Sequence, residues 1–170
     1  FPDGCRVDDT ERGDGRGFVL KAMAIYHSQQ LYEHVLWLDA DNCVLADPEP
    51  LFALSAYTSQ GSMFWPDFFG HGVKKEIYQE LTGGKSAPST TQDAEPGQLL
   101  LNTCRHQDVL EYALALNLHS HVTYQFMFGD KDTFRLAFAL AGKLPQYHQV
   151  ATPPTGAFAT LEGSDELQRL

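Results

Sequence analysis

Two aspartates, Asp39 and Asp41, directly follow an apolar and aromatic run, Val35 to Leu38. Such a short run predicts a strand buried on both faces, which in an α/β protein is usually a central parallel strand. Residues two apart on an extended chain point the same way, so both carboxylates can aim at one point beyond the strand's carboxyl end. Two hard oxygen ligands suit Mn²⁺ or Mg²⁺, which keep other positions for water and substrate phosphate. The pattern therefore predicts half of a metal–diphosphate site.

The alternative is an ordinary strand that ends in solvated charged residues, since the pattern also occurs by chance. Two like charges after a buried strand nevertheless cost free energy unless a cation or hydrogen-bond donors compensate them. The apolar spacing from Gly17 to Gln30 predicts a helix, and this helix carries Lys21. A solvated helical lysine is the favoured interpretation of Lys21, and contact with a donor phosphate is the alternative.

A second polar group, Glu95-Pro96-Gly97-Gln98, precedes the apolar run Leu99 to Leu101. Glu95 can accept hydrogen bonds, whereas Gln98 can both donate and accept them. At the mouth of a buried strand, these two side chains would suit the hydroxyl groups of a sugar. A plain turn into a strand explains the same residues equally well.

Other patterns predict the remaining elements and the packing of some side chains. The aromatic residues Phe64, Trp65, Phe68 and Phe69 are assigned to core packing, with stacking on a sugar or base as the alternative. Cys43 is predicted to be a packed thiol. The predicted elements are helices at Asp47–Leu54, Val73–Leu81, Asp108–Leu118 and Gly129–Gly142, a strand at Ser62–Pro66 and a loop at Thr82–Asp93.

Composition excludes several classes of protein. The 170 residues, 43% of them hydrophobic, can bury a sizeable core in one domain or a large part of one. The net charge of −10 argues against nucleic acid as a partner, whereas a metal ion could meet the charge of a nucleotide sugar. No apolar run is long enough to cross a bilayer. The three cysteines have no spacing typical of a zinc site or a disulfide framework.

The segment HVLWLDADNCVLADPEPLF, residues 34–52, resembles the DxD segment of metal-dependent glycosyltransferases of the GT-A type. It is most similar to fungal-type α-mannosyltransferases that use GDP-mannose. Three further stretches carry the same resemblance in the same order, and an ordered set is far more specific than any one member. They are GFVLKAMAIYHSQ (17–29), EPGQLLLNTCRH (95–106) and GDKDTFRLAFALAG (129–142).

The resemblance implies an α/β fold, with a GT-A-like Rossmann-type mixed sheet flanked by helices. It also implies an incomplete catalytic domain, because such enzymes build the nucleotide pocket from a βαβ unit that precedes the DxD strand. Residues 1–170 are therefore expected to form part of that domain. We expect a loop at 1–16, a core at 17–142 and a loop-rich end at 143–170.

The resemblance further implies transfer of mannose from GDP-mannose to a glycan or glycoprotein acceptor, with retention of the α configuration. Asp39 and Asp41 would hold Mn²⁺ or Mg²⁺, and Asp39 would also help to hold the nucleotide. Asp130 would orient the acceptor hydroxyl, and Lys131 would offset donor charge. The implied location is the Golgi lumen, in a parent that is a type II membrane protein.

The resemblance also places Glu95 and Gln98 near the sugar. This chain departs from the family pattern there, because Pro96 stands where a small hydroxyl residue is commoner.

Two other functions are compatible with the sequence. In a phosphatase of the haloacid-dehalogenase type, Asp39 would be the nucleophile, Asp41 the acid/base, and residues 129–132 a later acidic motif. Asn42 and Cys43 replace the small hydroxyl residue and glycine usual after that DxD motif. The third possibility is a non-catalytic binding or scaffold piece.

Overall fold

A computed structural model of the chain describes residues 16–68, 74, 76–84, 92–154, 158–160 and 167–169. The α-helices in these ranges are α1 (Arg16–Ser28), α2 (Ser55–Gln60), α3 (Glu76–Thr82), α4 (Gln107–Leu118), α5 (Ser120–Thr123) and α6 (Thr133–Leu140). The strands are β1 (His34–Leu38), β2 (Ser62–Pro66), β3 (Ala94–Asn102), β4 (Phe158–Thr160) and β5 (Leu167–Arg169). Two 3₁₀ helices span Glu49–Ala53 and Leu144–Gln146.

Strand β3 is the centre of a three-stranded antiparallel sheet with the order β1-β3-β2. Its residues Leu99, Leu100 and Leu101 are all buried, because apolar side chains cover both faces of the strand. Leu99 and Leu101 belong to the main core, whereas Leu100 packs in a smaller cluster with Tyr57 and Met63. A continuous apolar run is what a strand buried on both faces requires.

The prediction that β1 is a central parallel strand is wrong. Within the described residues, β1 pairs antiparallel with β3 alone, at the edge of the sheet, and its ends are exposed. A short apolar run cannot distinguish an edge strand from a central strand. Here the edge strand β1 is covered on both faces, since Trp37 packs against the main core and Leu36 against the smaller cluster. The mixture of helices and strands is confirmed, whereas the Rossmann-type mixed sheet is not, because the named strands of the described residues pair only antiparallel.

Helix α6 is the most deeply buried helix of the described part. Every residue from Thr133 to Ala139 is buried, and α6 packs against α4, which in turn contacts α1. The helix is apolar apart from Thr133 and Arg135, and Arg135 is paired with Asp132, so the helix can lie inside the fold. The main core also includes Ile25 of α1 and Val109 and Leu110 of α4.

Several other predicted elements are confirmed, with shifted ends. The strand Ser62–Pro66 is present as predicted, and the helices predicted at 17–30 and 108–118 are α1 and α4. The helix predicted at 47–54 is a 3₁₀ helix followed by α2, which was not predicted. The helix predicted at 73–81 is α3, and the one predicted at 129–142 begins only at Thr133, after a turn.

Some predictions fail or fall outside the described residues. Phe64 is buried as predicted, but Phe68 is exposed, and Cys43 is an exposed thiol, because the chain leaves β1 before reaching it. Residues 1–15, Phe69 and residues 85–91 of the predicted loop lie outside the description. The loop-rich end contains two short paired strands, β4 and β5. No helix among the described residues has the length and apolar character needed to span a membrane.

Gly61 ends α2 in a conformation that few other residues can adopt. Its φ of +73° is left-handed, and its amide donates to the Tyr57 carbonyl. A Cβ at this position would lie 2.8 Å from Arg105 Cδ and 2.9 Å from His106 Nε2. Glycine is therefore required there by backbone conformation and by crowding.

We predict that Gly61→Ala lowers the free energy of unfolding more than Gly142→Ala does. Gly142 has a similar φ of +68°, but no atom of the described residues lies within 4 Å of a Cβ there. Left-handed alanine costs about 1–2 kcal/mol, and crowding adds about 1–3 kcal/mol at Gly61 only. Urea denaturation of the two variants measures the difference, and equal losses would contradict the crowding argument.

Candidate active site

One buried lysine connects the four segments that carry the family resemblance. Lys21, on α1, places its Nζ 2.8 Å from Asp39 Oδ2 and 3.2 Å from Asp130 Oδ2, and it donates to the Pro96 carbonyl at 3.2 Å. Its side chain is only 7% exposed. The prediction of a solvated lysine is therefore wrong, because its carboxylate partners come from distant parts of the chain.

Asp39 is fixed on both sides of its carboxylate. The indole Nε1 of Trp37 donates to Oδ1 at 2.6 Å, and Lys21 occupies Oδ2. The backbone amide of Asp39 donates to the Gly97 carbonyl at 2.7 Å, which ties the residue to β3. Charge-assisted bonds of this kind are the stronger hydrogen bonds in proteins. The carboxylate, still 31% exposed, is therefore held in one orientation at the surface.

Asp41 lies in a turn and not on an extension of the strand. The Asn42 amide donates to the Asp39 carbonyl at 3.0 Å, and its side-chain Nδ2 donates to the Gly97 carbonyl at 2.5 Å. The expectation that both aspartates share one face of an extended chain is therefore wrong. Asp41 is exposed and makes no hydrogen bond or ion pair with the described residues.

Asp130 lies inside the protein, in the turn before α6. Burial raises the pKa of its carboxyl and nearby Asp39 adds to the rise, whereas the Lys21 ammonium opposes it. The preceding Gly129 has a φ of +64°, and a Cβ there would lie 3.2 Å from the ring of Phe18. Asp130 is only 1% exposed, so it faces Lys21 and not the solvent.

Lys131 and its neighbour Asp130 pair with different residues. Its Nζ forms an ion pair with Oδ2 of Asp67, a buried residue that follows β2. The Lys131 side chain remains 25% exposed. It is therefore the more accessible of the two lysines at the site.

Glu95 and Gln98 belong to β3 itself and not to a turn that precedes it. Strand β2 pairs with Leu99 and then with Glu95, so the residues between them bulge away from β2. Glu95 Oε1 accepts the Gly97 amide at 2.9 Å. A Cβ on Gly97 would lie 3.0 Å from that oxygen and 3.6 Å from Asp39 Oδ2, so glycine lets both carboxylates approach the strand. Gln98 is half-buried and pairs in register with Leu38.

Three residues that contact the site were not identified as site residues from the sequence: Trp37, Asn42 and Asp67. Trp37 could have been found, because a residue two before Asp39 on a strand points to the same side. Asp67 follows β2 as Asp39 follows β1, which is a similar signal. The contact of Asn42 depends on the turn, and no pattern in the sequence indicates it.

The acidic residues suit a divalent cation that is shared with a substrate. The described residues contain no cluster of three or more His, Cys, Asp or Glu side chains able to hold a metal alone. Mg²⁺-type sites often use one or two carboxylates and complete their shell with phosphates and water. Asp41 is exposed, and each oxygen of Asp39 retains lone-pair capacity beyond its hydrogen bond. Each of these side chains therefore keeps an oxygen ligand of the kind that Mg²⁺ or Mn²⁺ takes.

We predict that Lys21→Met destabilises the protein and that Asp130→Asn partly reverses the loss. Methionine keeps the apolar stem but leaves a buried carboxylate without its cation, which typically costs about 3–5 kcal/mol. The amide introduced by Asp130→Asn carries no charge, so the double variant should recover at least about 1 kcal/mol. Urea denaturation across the double-mutant cycle measures the coupling.

Lys143→Met is the matched control for that cycle. Lys143 pairs with Asp108 at 2.6 Å, but the two side chains are 26% and 44% exposed, so the loss should stay within about 1 kcal/mol. Equal losses in Lys21→Met and Lys143→Met would show that the buried contact is not a structural constraint.

Known proteins share sequence similarity with most of this chain. A family model described as mannosyltransferase matches residues 4–92 and 73–166. The alpha-1,2-mannosyltransferase MNN22 of Candida albicans is 28% identical over 188 residues, covering 86% of this chain and 31% of the relative. MNN21 of the same species is 29% identical, over 80% of this chain and 26% of its own.

The alpha-1,2-mannosyltransferase MNN2 of Saccharomyces cerevisiae is 26% identical, over 81% of this chain and 29% of its own. This chain thus spans less than a third of the length of each of these relatives. No solved structure matches the chain. Because the family model covers most of the sequence, the chain belongs to the mannosyltransferase family.

Proposed function

We propose that the protein transfers mannose from GDP-mannose to a glycan acceptor with retention of the α configuration, using Mn²⁺ or Mg²⁺. The observation that carries the proposal is the contact of Lys21 with Asp39, Pro96 and Asp130, in a chain of the mannosyltransferase family. That contact brings together one residue from each segment of the resemblance. Family membership also favours sugar transfer over the phosphatase alternative.

The donor side of the proposed site is centred on Asp39 and Asp41. These carboxylates would hold the divalent ion, which when bound acts as a Lewis acid that neutralises charge on the departing diphosphate. Lys131 is a better candidate than Lys21 for direct contact with donor phosphate, because 25% of its side chain is exposed against 7%. Lys21 instead holds the Asp39 carboxylate in place.

The acceptor side requires no covalent nucleophile. In the proposed reaction the bond between the anomeric carbon and the diphosphate oxygen breaks, and a bond to the acceptor oxygen forms on the same face. The acceptor proton passes to the leaving phosphate. Glu95 and Gln98, both half-buried at the β3 bulge, would hold sugar hydroxyls. We assign Asp130 to positioning Lys21, because its carboxylate is enclosed behind that lysine.

The proposal extends to the parent protein. Its Golgi-lumenal location and type II membrane anchor follow from the resemblance, and imaging of the tagged full-length protein against Golgi markers would test them. A glycan or glycoprotein is the proposed partner. Nucleic acid is not, given the net charge of −10.

We predict that Asp41→Asn weakens the binding of GDP in the presence of Mn²⁺ by at least about tenfold. The amide keeps the size of the side chain but loses the charge that attracts the ion. Isothermal calorimetry of the full-length protein, with and without EDTA, measures the metal-dependent affinity. Glu111→Gln, an exposed acidic residue on α4, is the matched control and should bind as the wild type does. Unchanged metal-dependent binding in Asp41→Asn would refute its role as a ligand.

We predict that Trp37→Phe also weakens metal-dependent GDP binding, by about tenfold. Phenylalanine keeps an aromatic ring but removes the N–H that holds Asp39 Oδ1. Trp65→Phe is the control, because Trp65 is half-buried and packs against the smaller cluster of Tyr57, Met63 and Leu100. The same calorimetric titration measures both variants, and equal affinities would separate Trp37 from the site.

A further inference from the structure

An exposed aromatic ring, Phe128, lies next to the candidate active site. It is 71% exposed, although its chain neighbours Met127 and Gly129 are both buried. A single exposed apolar residue is common on protein surfaces and carries no argument alone. The support of this ring and its place beside the site are what distinguish it.

The backbone that follows Phe128 is held rigidly. Gly129 lies against the ring of Phe18, so closely that even a Cβ would lie 3.2 Å from it. Asp130 is held by Lys21, and its carbonyl accepts the Thr133 amide at 3.1 Å where α6 begins. Phe18 and Lys21 are both on α1, three residues apart, so one face of that helix fixes the turn. The position of Phe128 is thus set by the same helix that fixes Asp39.

The Phe128 ring is also contacted by a neighbouring lysine, Lys131, which lies over it. Lys131 Nζ lies 5.5 Å from the ring centroid, within the range of a cation–π contact, and the same ammonium pairs with Asp67. The lysine thus contacts one part of the ring, and most of the remaining surface faces the solvent. An aromatic face in this setting is preorganised for a ligand and needs no rearrangement to bind one.

The chemistry around the ring selects the kind of ligand. A pyranose presents a face of carbon-bound hydrogens to an aromatic ring and hydroxyl groups at its rim. The ring meets the first requirement, and the Lys131 ammonium, on a side chain that is 25% exposed, can meet the second. The proposed donor site needs charge and metal ligands, which Asp39 and Asp41 supply. The aromatic surface therefore suits the neutral partner in the reaction.

We propose that Phe128 is a stacking platform for a pyranose ring of the acceptor glycan, in a subsite whose polar rim is the Lys131 ammonium, which Asp67 holds in place. The assignment to the acceptor rests on the proposed function. Binding of a sugar ring to this surface can be measured independently of transfer.

The test uses the full-length protein with methyl α-mannoside and an α-linked mannobiose as probes. Saturation-transfer NMR should show contact between the sugar and protein aromatic protons. Phe128→Ala should abolish that contact and raise the acceptor KM about tenfold, with the affinity for GDP and Mn²⁺ unchanged. Phe128→Trp should keep the binding, whereas Phe128→Leu should lose it, because leucine is apolar but has no flat face. Tyr112→Ala, which removes an exposed ring on α4, is the matched control.

Each outcome separates this inference from the proposed function. Transfer from GDP-mannose with the same acceptor KM in Phe128→Ala as in Tyr112→Ala would overturn the subsite and leave the function intact. Sugar binding that depends on Phe128, in a protein without transferase activity, would support the subsite and overturn the function. Weaker GDP binding in Phe128→Ala would place the ring on the donor side and overturn the inference.

Discussion

The buried ammonium of Lys21 is the constraint on which the candidate site depends. Removing the Lys21 cation and the Asp130 carboxylate from water costs free energy that only close, well-oriented partners can offset. Lys21 meets Asp39, Asp130 and the Pro96 carbonyl, so α1, the end of β1, the β3 bulge and the turn before α6 must all occupy defined places. Displacing any of these elements would leave a charge without its partner.

The irregular part of β3 is what allows these elements to meet. The Gly97 carbonyl accepts from the Asp39 amide and the Asn42 side chain, and the Pro96 carbonyl accepts from Lys21. Proline is tolerated at a bulge, where its missing N–H costs no ladder bond. The contact with Lys21 uses a backbone carbonyl, which every residue offers. The departure from the family pattern at Pro96 therefore leaves this contact intact.

The sequence predicted the residue types of the site better than their surroundings. Asp39 was singled out because it follows an apolar run and Lys21 because it lies on a predicted helix, whereas Asp130 was named through the family resemblance. Their burial was not predicted, since it depends on partners that are distant along the chain, and Lys21 was expected in solvent. The same limit affected the strands, because the apolar runs of β1 and β3 look alike, yet only β3 has neighbours on both sides among the described residues.

The charged residues of the turn before α6 differ in burial and in the partners they contact. Three consecutive charged residues have three different partners: Asp130 contacts Lys21, Lys131 contacts Asp67, and Asp132 pairs with Arg135. Asp130, Asp132 and Arg135 are almost fully buried, and each charge is offset inside the protein. A group committed in this way can position others but is poorly placed to meet a substrate. Carboxylates and amides that keep a solvent-facing side are better placed to meet one, which is why exposure, and not charge alone, guides the assignment of roles.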